Sequence, residues 1–118
     1  MLSQQSARTI CGYIYSGSGF GESTQDLVFG GNALIYENGR LIASGKRFSL
    51  ESQMVTSQID VEMLRSERRD NTTYINAQRS SELGIEQIDI IPCFERETNV
   101  FELERAIDPH PFIPTGEE

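Results

Sequence analysis

The dipeptide Asn38-Gly39, which separates two apolar runs, constrains the fold of this chain more than any other feature. A two-residue hairpin turn needs positive φ at both positions, and Asn-Gly is the pair that adopts it most readily. The flanking runs "NALIY" and "LIAS" have the apolar, β-branched composition of strands. We therefore predict a β-hairpin with strands at residues 32–36 and 41–44, preceded by a bend or bulge at Gly30-Gly31.

Three further runs have the composition of strands. Residues 9–16, "TICGYIYS", are rich in β-branched and aromatic side chains and predict a largely buried strand. Residues 53–59 alternate well enough to predict another. Residues 85–94 predict one more, whose end Pro92 confines to a sheet edge or an exit.

Helical signals are fewer. Residues 3–8 resemble the last turns of a helix, and Asp60 is a good N-cap for a helix at residues 61–69. The polar stretch 70–82 is expected to be loop or weak helix. Within the second helix, the apolar Met63 and Leu64 are expected to face the core and the charged Arg65, Glu67 and Arg68 to face water. The predicted fold class is α+β and β-rich.

The charge balance limits the partners of the chain. Its 118 residues carry a formal net charge of -8, so nucleic acid and anionic membranes would repel it. No apolar run approaches the roughly 20 residues that span a bilayer, and the first ten residues lack the apolar centre of a signal peptide. Cys11 and Cys93 lie in strand-like runs, where buried structural thiols are common. We therefore expect no disulfide framework and a cytoplasmic location.

The glycine-rich stretch "SGSGFGEST", residues 16–24, invites comparison with phosphate-binding loops. A Walker loop ends in Gly-Lys-Ser/Thr, whereas here Glu22 occupies the place of the lysine. The dinucleotide pattern G-x-G-x-x-G fails as well, because its third glycine would also fall at Glu22. No amphipathic helix is predicted after the loop to direct a dipole at an anion. A turn between strands is the preferred interpretation.

The remaining side chains form no complete catalytic or metal-binding set. A Cys11–His110 pair would require the proline-rich end of the chain to fold back over the strand, so buried structural thiols are preferred. One histidine and two distant cysteines do not make a metal site. "SERRD", residues 66–70, is most simply the solvated end of a helix, with an arginine pairing across an interface as the alternative.

Four stretches resemble, in order, the C-terminal part of a nitrilase-superfamily amidase domain. More narrowly, they resemble the carbon-nitrogen hydrolase (glutaminase) domain of bacterial glutamine-dependent NAD+ synthetases. The stretches are "QQSARTICGYIYSGSGFGEST", "DLVFGGNALIYENGRLIASGKRF", "SQIDVEMLRSERRDNTTY" and "IDPHPFIPTGEE". The match is weaker over residues 75–104.

This resemblance implies a portion of a four-layer α-β-β-α sandwich at residues 1–107. It makes residues 108–118 a linker toward a synthetase domain. The family hydrolyses glutamine with a Glu-Lys-Cys triad and passes the ammonia to an ATP- and magnesium-dependent amidation of deamido-NAD+. The triad and the ATP loop fall outside the matched region, so the chain is expected to be an inactive fragment with no catalytic residue and no cofactor of its own. The remainder of the same polypeptide is the expected partner, and exposed sheet edges favour a homo-oligomer.

The candidate substrate-pocket rim is the glycine loop, with Ser18, Glu22, Ser23 and Thr24 as its named residues. Glu22 would hold the α-ammonium of glutamine or line an ammonia path, or it would cap nearby backbone amides. Two other functions stay open: a piece of another nitrilase-superfamily amidase, and a small acidic β-rich interaction module.

Overall fold

The computed structural model describes residues 1–80, 88–89, 91 and 102–105. The elements within them are α1 (Leu2–Thr9), β1 (Gly12–Ser16), β2 (Ala33–Glu37), β3 (Arg40–Ser44), α2 (Val61–Asp70) and α3 (Thr72–Ser80). The α+β class is confirmed, although more of these residues lie in helices than in strands. No helix in this part of the chain has the length and apolar character needed to cross a membrane.

The predicted hairpin is present. Asn38 and Gly39 have φ of 44° and 84°, and β2 and β3 pair in antiparallel fashion on either side of them. The pairing register shifts between Ile35 and Tyr36. The expected bend before β2 is found at Gly31, whose φ is 63°. The local backbone chemistry of the turn therefore predicts this part of the fold within one residue.

The strand predicted at residues 9–16 forms only in its second half. Helix α1 continues to Thr9, and Ile10 then adopts a left-handed conformation with φ of 46°, so β1 begins at Gly12. β1 pairs with β2 in antiparallel fashion, which gives a three-stranded sheet in the order β1-β2-β3. β1 is thus an edge strand of the sheet in the described part of the chain.

The prediction that this strand is largely buried is wrong for the structure. Ile14 is 71% exposed, and Tyr15 and Ser16 are exposed as well. Ile59 packs against Gly12 at the other end of the strand, where a Cβ on the glycine would lie 2.7 Å from Ile59 Cδ1. Strand composition indicates that a side chain suits an apolar environment, but it does not provide the layer that covers it.

The strand predicted at residues 53–59 is also wrong, because side chains make the bonds that a strand would make with its backbone. The Gln53 amide accepts from the Lys46 N–H over 2.8 Å and donates to the Lys46 carbonyl over 2.7 Å. The Gln58 amide donates to the Glu102 carbonyl over 2.8 Å and accepts from the Glu104 N–H over 2.9 Å. The carboxamides of Gln53 and Gln58 therefore make the kind of paired hydrogen bonds that a neighbouring β-strand would make.

Helix α2 forms as predicted. The Asp60 carboxylate accepts from the Met63 N–H over 2.9 Å at its N-terminus, and Leu64 is buried as expected. The stretch predicted to be loop or weak helix contains helix α3 (Thr72–Ser80). Asn71 starts it, because its side-chain oxygen accepts from the Tyr74 N–H over 2.9 Å. The signal was a single asparagine cap within a polar run.

The core of the described residues is small. Its buried apolar side chains are Ile10, Ile35 and Leu64, and the buried polar ones are Ser6 and Glu37. Ser6 fixes α1 onto the hairpin turn, since its hydroxyl donates to the Cys11 carbonyl over 2.8 Å and accepts from the Gly39 N–H over 3.1 Å. Hydrogen bonds of Ser6 thus join helix α1 to the β2–β3 hairpin.

Several predictions fall on residues that the structure does not describe. These are most of the strand at residues 85–94, Cys93, His110, the domain boundary after residue 107 and the linker at residues 108–118.

Candidate functional site

The glycine loop is closed at its base by backbone hydrogen bonds that extend the β1–β2 pairing. The Gly17 N–H donates to the Asn32 carbonyl over 2.8 Å, and the Gly31 N–H donates to the Ser18 carbonyl over 2.9 Å. The loop between them has neither helix nor strand, so the absence of a following helix is as predicted. The loop therefore directs no helix dipole at an anion.

Glu22 is used inside the loop. Its Oε2 accepts from the Gly19 N–H over 2.8 Å, and its own N–H donates to the Gly19 carbonyl over 3.2 Å. The Gly19 backbone amide is therefore already bound by a carboxylate. The expected alternative role, capping of local backbone amides, is what the geometry shows for this oxygen.

The other three predicted rim residues are exposed in the same loop. The Ser23 hydroxyl accepts from the Phe29 N–H over 3.1 Å, and the Thr24 N–H donates to the Leu27 carbonyl over 3.0 Å. Ser18 is exposed and contributes the carbonyl that Gly31 binds. These contacts hold the shape of the loop.

A cleft of about 280 Å³ lies between the base of the glycine loop and the segment that follows β3. Its walls include Gly19, Phe20, Asn32, Leu50 and Gln53. The predicted rim residues Ser18, Glu22, Ser23 and Thr24 do not line it. The structure thus brings the loop to the edge of a cavity, which Gly17, Gly19 and Phe20 line.

A buried carboxylate at the end of β2 was missed by the sequence analysis. Glu37 is 3% exposed, and its Oε1 and Oε2 accept from Arg105 Nη1 and Nη2 over 2.9 and 2.7 Å. Oε1 also accepts from the Asp60 N–H over 2.6 Å. The available signal was the period of the strand, because Glu37 falls on the same face as the buried Ile35. A charge on that face requires a partner.

The pKa of Glu37 reflects these opposing influences. Burial alone would raise the pKa of the carboxyl, but the hydrogen bonds from Arg105 and the Asp60 N–H, together with the positive charge of Arg105, outweigh burial. The pKa of Glu37 therefore lies below its ordinary value of 4.5. The same pairing raises the pKa of Arg105.

We expect the stability of the chain to fall on acidification through the protonation of Glu37. Because the folded-state pKa lies below 4.5, the contribution is complete above that pH and is lost as the pH drops through the lower folded-state value. Urea midpoints measured from about pH 7 to about pH 3 should fall more steeply for the wild-type chain than for Glu37→Gln. Parallel pH profiles for the two proteins would contradict this assignment.

Arg68 corrects the prediction that the end of α2 is simply solvated. Its guanidinium donates to the Ile10 carbonyl over 2.9 Å and to the Thr9 carbonyl over 3.2 Å, and it lies 5.1 Å from the ring centre of Tyr74. Arginine is well suited to such a site, because its fork binds two acceptors at once. Arg68 therefore joins the C-terminus of α1 to both later helices.

Cys11 is half-buried, and its Sγ lies 2.9 Å from the Thr9 hydroxyl oxygen. No group of histidine, cysteine and carboxylate side chains suited to a metal ion occurs among the described residues. Cys11 is therefore less buried than predicted, and its structural role stays a prediction.

Comparison with known proteins gives a consistent result. No protein-family model matches the chain. The chain is 36% identical over 112 residues to the glutamine-dependent NAD(+) synthetase of Mycobacterium tuberculosis (strain ATCC 25618 / H37Rv), and equally to that of Mycobacterium bovis. It is 35% identical over 110 residues to the enzyme of that name from Mycobacterium leprae. Each alignment covers 92% of this chain but 16% of the relative. The chain is therefore homologous, over most of its length, to a segment of the glutamine-dependent NAD+ synthetases.

Proposed function

We propose that this chain is part of the nitrilase-like glutaminase domain of a glutamine-dependent NAD+ synthetase. The observation that carries the proposal is the identity of 35–36% over 92% of the chain to proteins of that name. In the parent protein, glutamine hydrolysis would supply ammonia for the ATP-dependent amidation of deamido-NAD+. The order of the four family-like stretches supports the same assignment.

We place the reacting groups of the parent enzyme outside these 118 residues. The chain corresponds to 16% of the length of its relatives, and the family resemblance puts the motifs of the triad before the first matched stretch. Under this proposal the Glu-Lys-Cys triad and the site for ATP and magnesium are supplied by the rest of the polypeptide. The isolated chain would then be inactive and would contribute one wall of the glutamine pocket.

The exposed apolar surface supports packing against further polypeptide. Soluble proteins rarely leave large apolar side chains clustered in solvent without a partner. The exposed large apolar residues of β1 and the loops around it are Ile14, Tyr15, Phe20, Leu27, Val28, Phe48, Leu50 and Met54. The remainder of the same polypeptide is the proposed partner, with a second copy of the parent protein in a homo-oligomer as a further one.

The test of the proposed function compares nitrogen donors in the full polypeptide that contains this chain. The full protein should form NAD+ from deamido-NAD+ with either glutamine or ammonium, and the 118-residue chain alone should hydrolyse no glutamine. We further propose that the Glu22 carboxylate, whose Oε2 caps Gly19, binds the α-ammonium of glutamine through its other oxygen. In this background Glu22→Gln should then lower kcat/KM for glutamine by about 10- to 100-fold, because that charge-assisted bond is lost. The ammonium-dependent rate should not change.

Asp26→Asn is the matched control, because it removes an equal charge from the same exposed loop. The glutamine side chain at position 22 can still accept from the Gly19 N–H, which keeps the loop closed. An unchanged KM for glutamine in Glu22→Gln would show that Glu22 only caps the backbone of the loop and does not bind glutamine. A correctly folded full polypeptide that forms NAD+ from ammonium but never hydrolyses glutamine would overturn the proposed function itself.

A further inference from the structure

The segment 102–105 is held by side chains that lie far from it in the sequence. The Gln58 carboxamide binds the Glu102 carbonyl and the Glu104 N–H, in the pattern that a neighbouring β-strand would offer. Glu37 binds both terminal nitrogens of Arg105. One contact therefore recognises the backbone of the segment and the other recognises an arginine side chain.

Glu37 also binds the residue that caps α2. Its Oε1 accepts both from Arg105 and from the N–H of Asp60, the residue that caps α2. Gln58 lies two residues before that cap in the chain. The start of α2 and the segment 102–105 thus share one carboxylate and one short stretch of backbone.

The ion pair between Glu37 and Arg105 is shielded from water. Glu37 is almost wholly buried, and the Arg105 side chain is 20% exposed, so water does not readily replace either partner. By contrast, the Arg65–Glu62 pair on α2 is 68% and 76% exposed and is open to water on most sides. A buried bidentate arginine–carboxylate pair has a defined geometry as well as an energy.

We propose that Glu37 and Gln58 form a clasp that fixes the backbone of residues 102–105 onto the hairpin and makes the capping of α2 depend on that attachment. The clasp is a positioning device, and it selects the segment by two backbone groups and by the arginine at its last place. Where the proposed function holds, this attachment fixes the described segment that comes just before the proposed linker in the sequence. The clasp itself does not require that function.

The coupling is testable because Arg105 and the Asp60 N–H meet only through Glu37 in the described contacts. In the 118-residue chain, Arg105→Met should speed hydrogen exchange at the Asp60 and Glu104 amides by about tenfold or more. Arg105→Lys, which retains the charge but loses the two-pronged donor, should give an intermediate increase. Gln58→Leu should speed exchange at Glu104 most strongly.

Gln53→Leu is the matched control, because Gln53 makes the same two-bond contact with the backbone of Lys46 and none with residues 102–105. It should speed exchange at Lys46 and leave Asp60 unchanged. An Asp60 amide that exchanges at the wild-type rate in both Arg105 variants would overturn the clasp, whatever the activity of the parent protein. The lysine variant guards against a general loss of folding in the methionine variant.

Discussion

Replacement of Glu37 by alanine is expected to lower the free energy of unfolding by about 3–5 kcal/mol, the cost of breaking a buried ion pair from one side. The Arg105 guanidinium loses both carboxylate oxygens, and the Asp60 N–H loses its acceptor. Urea denaturation of the chain followed by circular dichroism measures the loss. Because the core of the described residues is small, trimethylamine N-oxide should be added equally to all proteins to keep the variants folded at the start of the titration.

Glu62→Ala is the control for this experiment. It also removes one carboxylate from an arginine, but the Arg65–Glu62 pair is largely exposed and contributes less than about 1 kcal/mol. Glu37→Gln should fall between the two, since an amide oxygen in the place of Oε1 can still accept from two of the three donors. Equal losses for Glu37→Ala and Glu62→Ala would show that the burial of Glu37 has no energetic consequence.

Replacement of Gly39 by alanine is the second change with a large expected effect, about 2–5 kcal/mol of destabilisation. Its φ of 84° is costly for a residue with a Cβ, and that Cβ would lie 2.9 Å from Ala7 Cβ on α1. The helix cannot easily withdraw, because the Ser3 hydroxyl donates to the Gly39 carbonyl over 2.6 Å and Ser6 accepts from its N–H. Chemical denaturation again measures the effect.

Gly21→Ala separates the two causes. Gly21 has a φ of 91°, similar to that of Gly39, but nothing lies within 4 Å of the place its Cβ would occupy. It should cost about 1–2 kcal/mol, the conformational part alone. If Gly21→Ala and Gly39→Ala destabilise equally, the close approach of α1 to the turn makes no contribution.

Elements governed by short-range rules were predicted well. The Asn38-Gly39 turn depends on the φ of two adjacent residues, and the start of α2 depends on a bond from Asp60 to a residue three positions later. Such signals are complete within a few residues of sequence. The prediction of a strand at residues 53–59 was wrong because the alternation of polar and apolar side chains does not reveal whether a neighbouring strand exists. There, glutamine side chains bind the neighbouring segments instead.

The contacts of the candidate site also differ in whether nearby sequence could predict them. The chemistry of the glycine loop could be judged locally, and the bond from Gly19 to Glu22 spans three residues. The clasp could not be predicted from the sequence, because Glu37 and Arg105 are 68 residues apart and Gln58 and Glu104 are 46 apart. A face-period argument at Glu37 predicts that a partner is needed, but it does not identify that partner.

By itself, the sequence determined the hairpin turn, the N-terminus of α2 and the resemblance to glutamine-dependent NAD+ synthetases. The tertiary structure alone decided that Glu37 is buried against Arg105, that Arg68 binds the end of α1, and that the apolar side of β1 is left uncovered. The physical reason is the distance along the chain between the interacting residues. Backbone conformation and capping are settled by neighbours in the chain, whereas burial and ion pairing are settled by whichever distant segment folds against them.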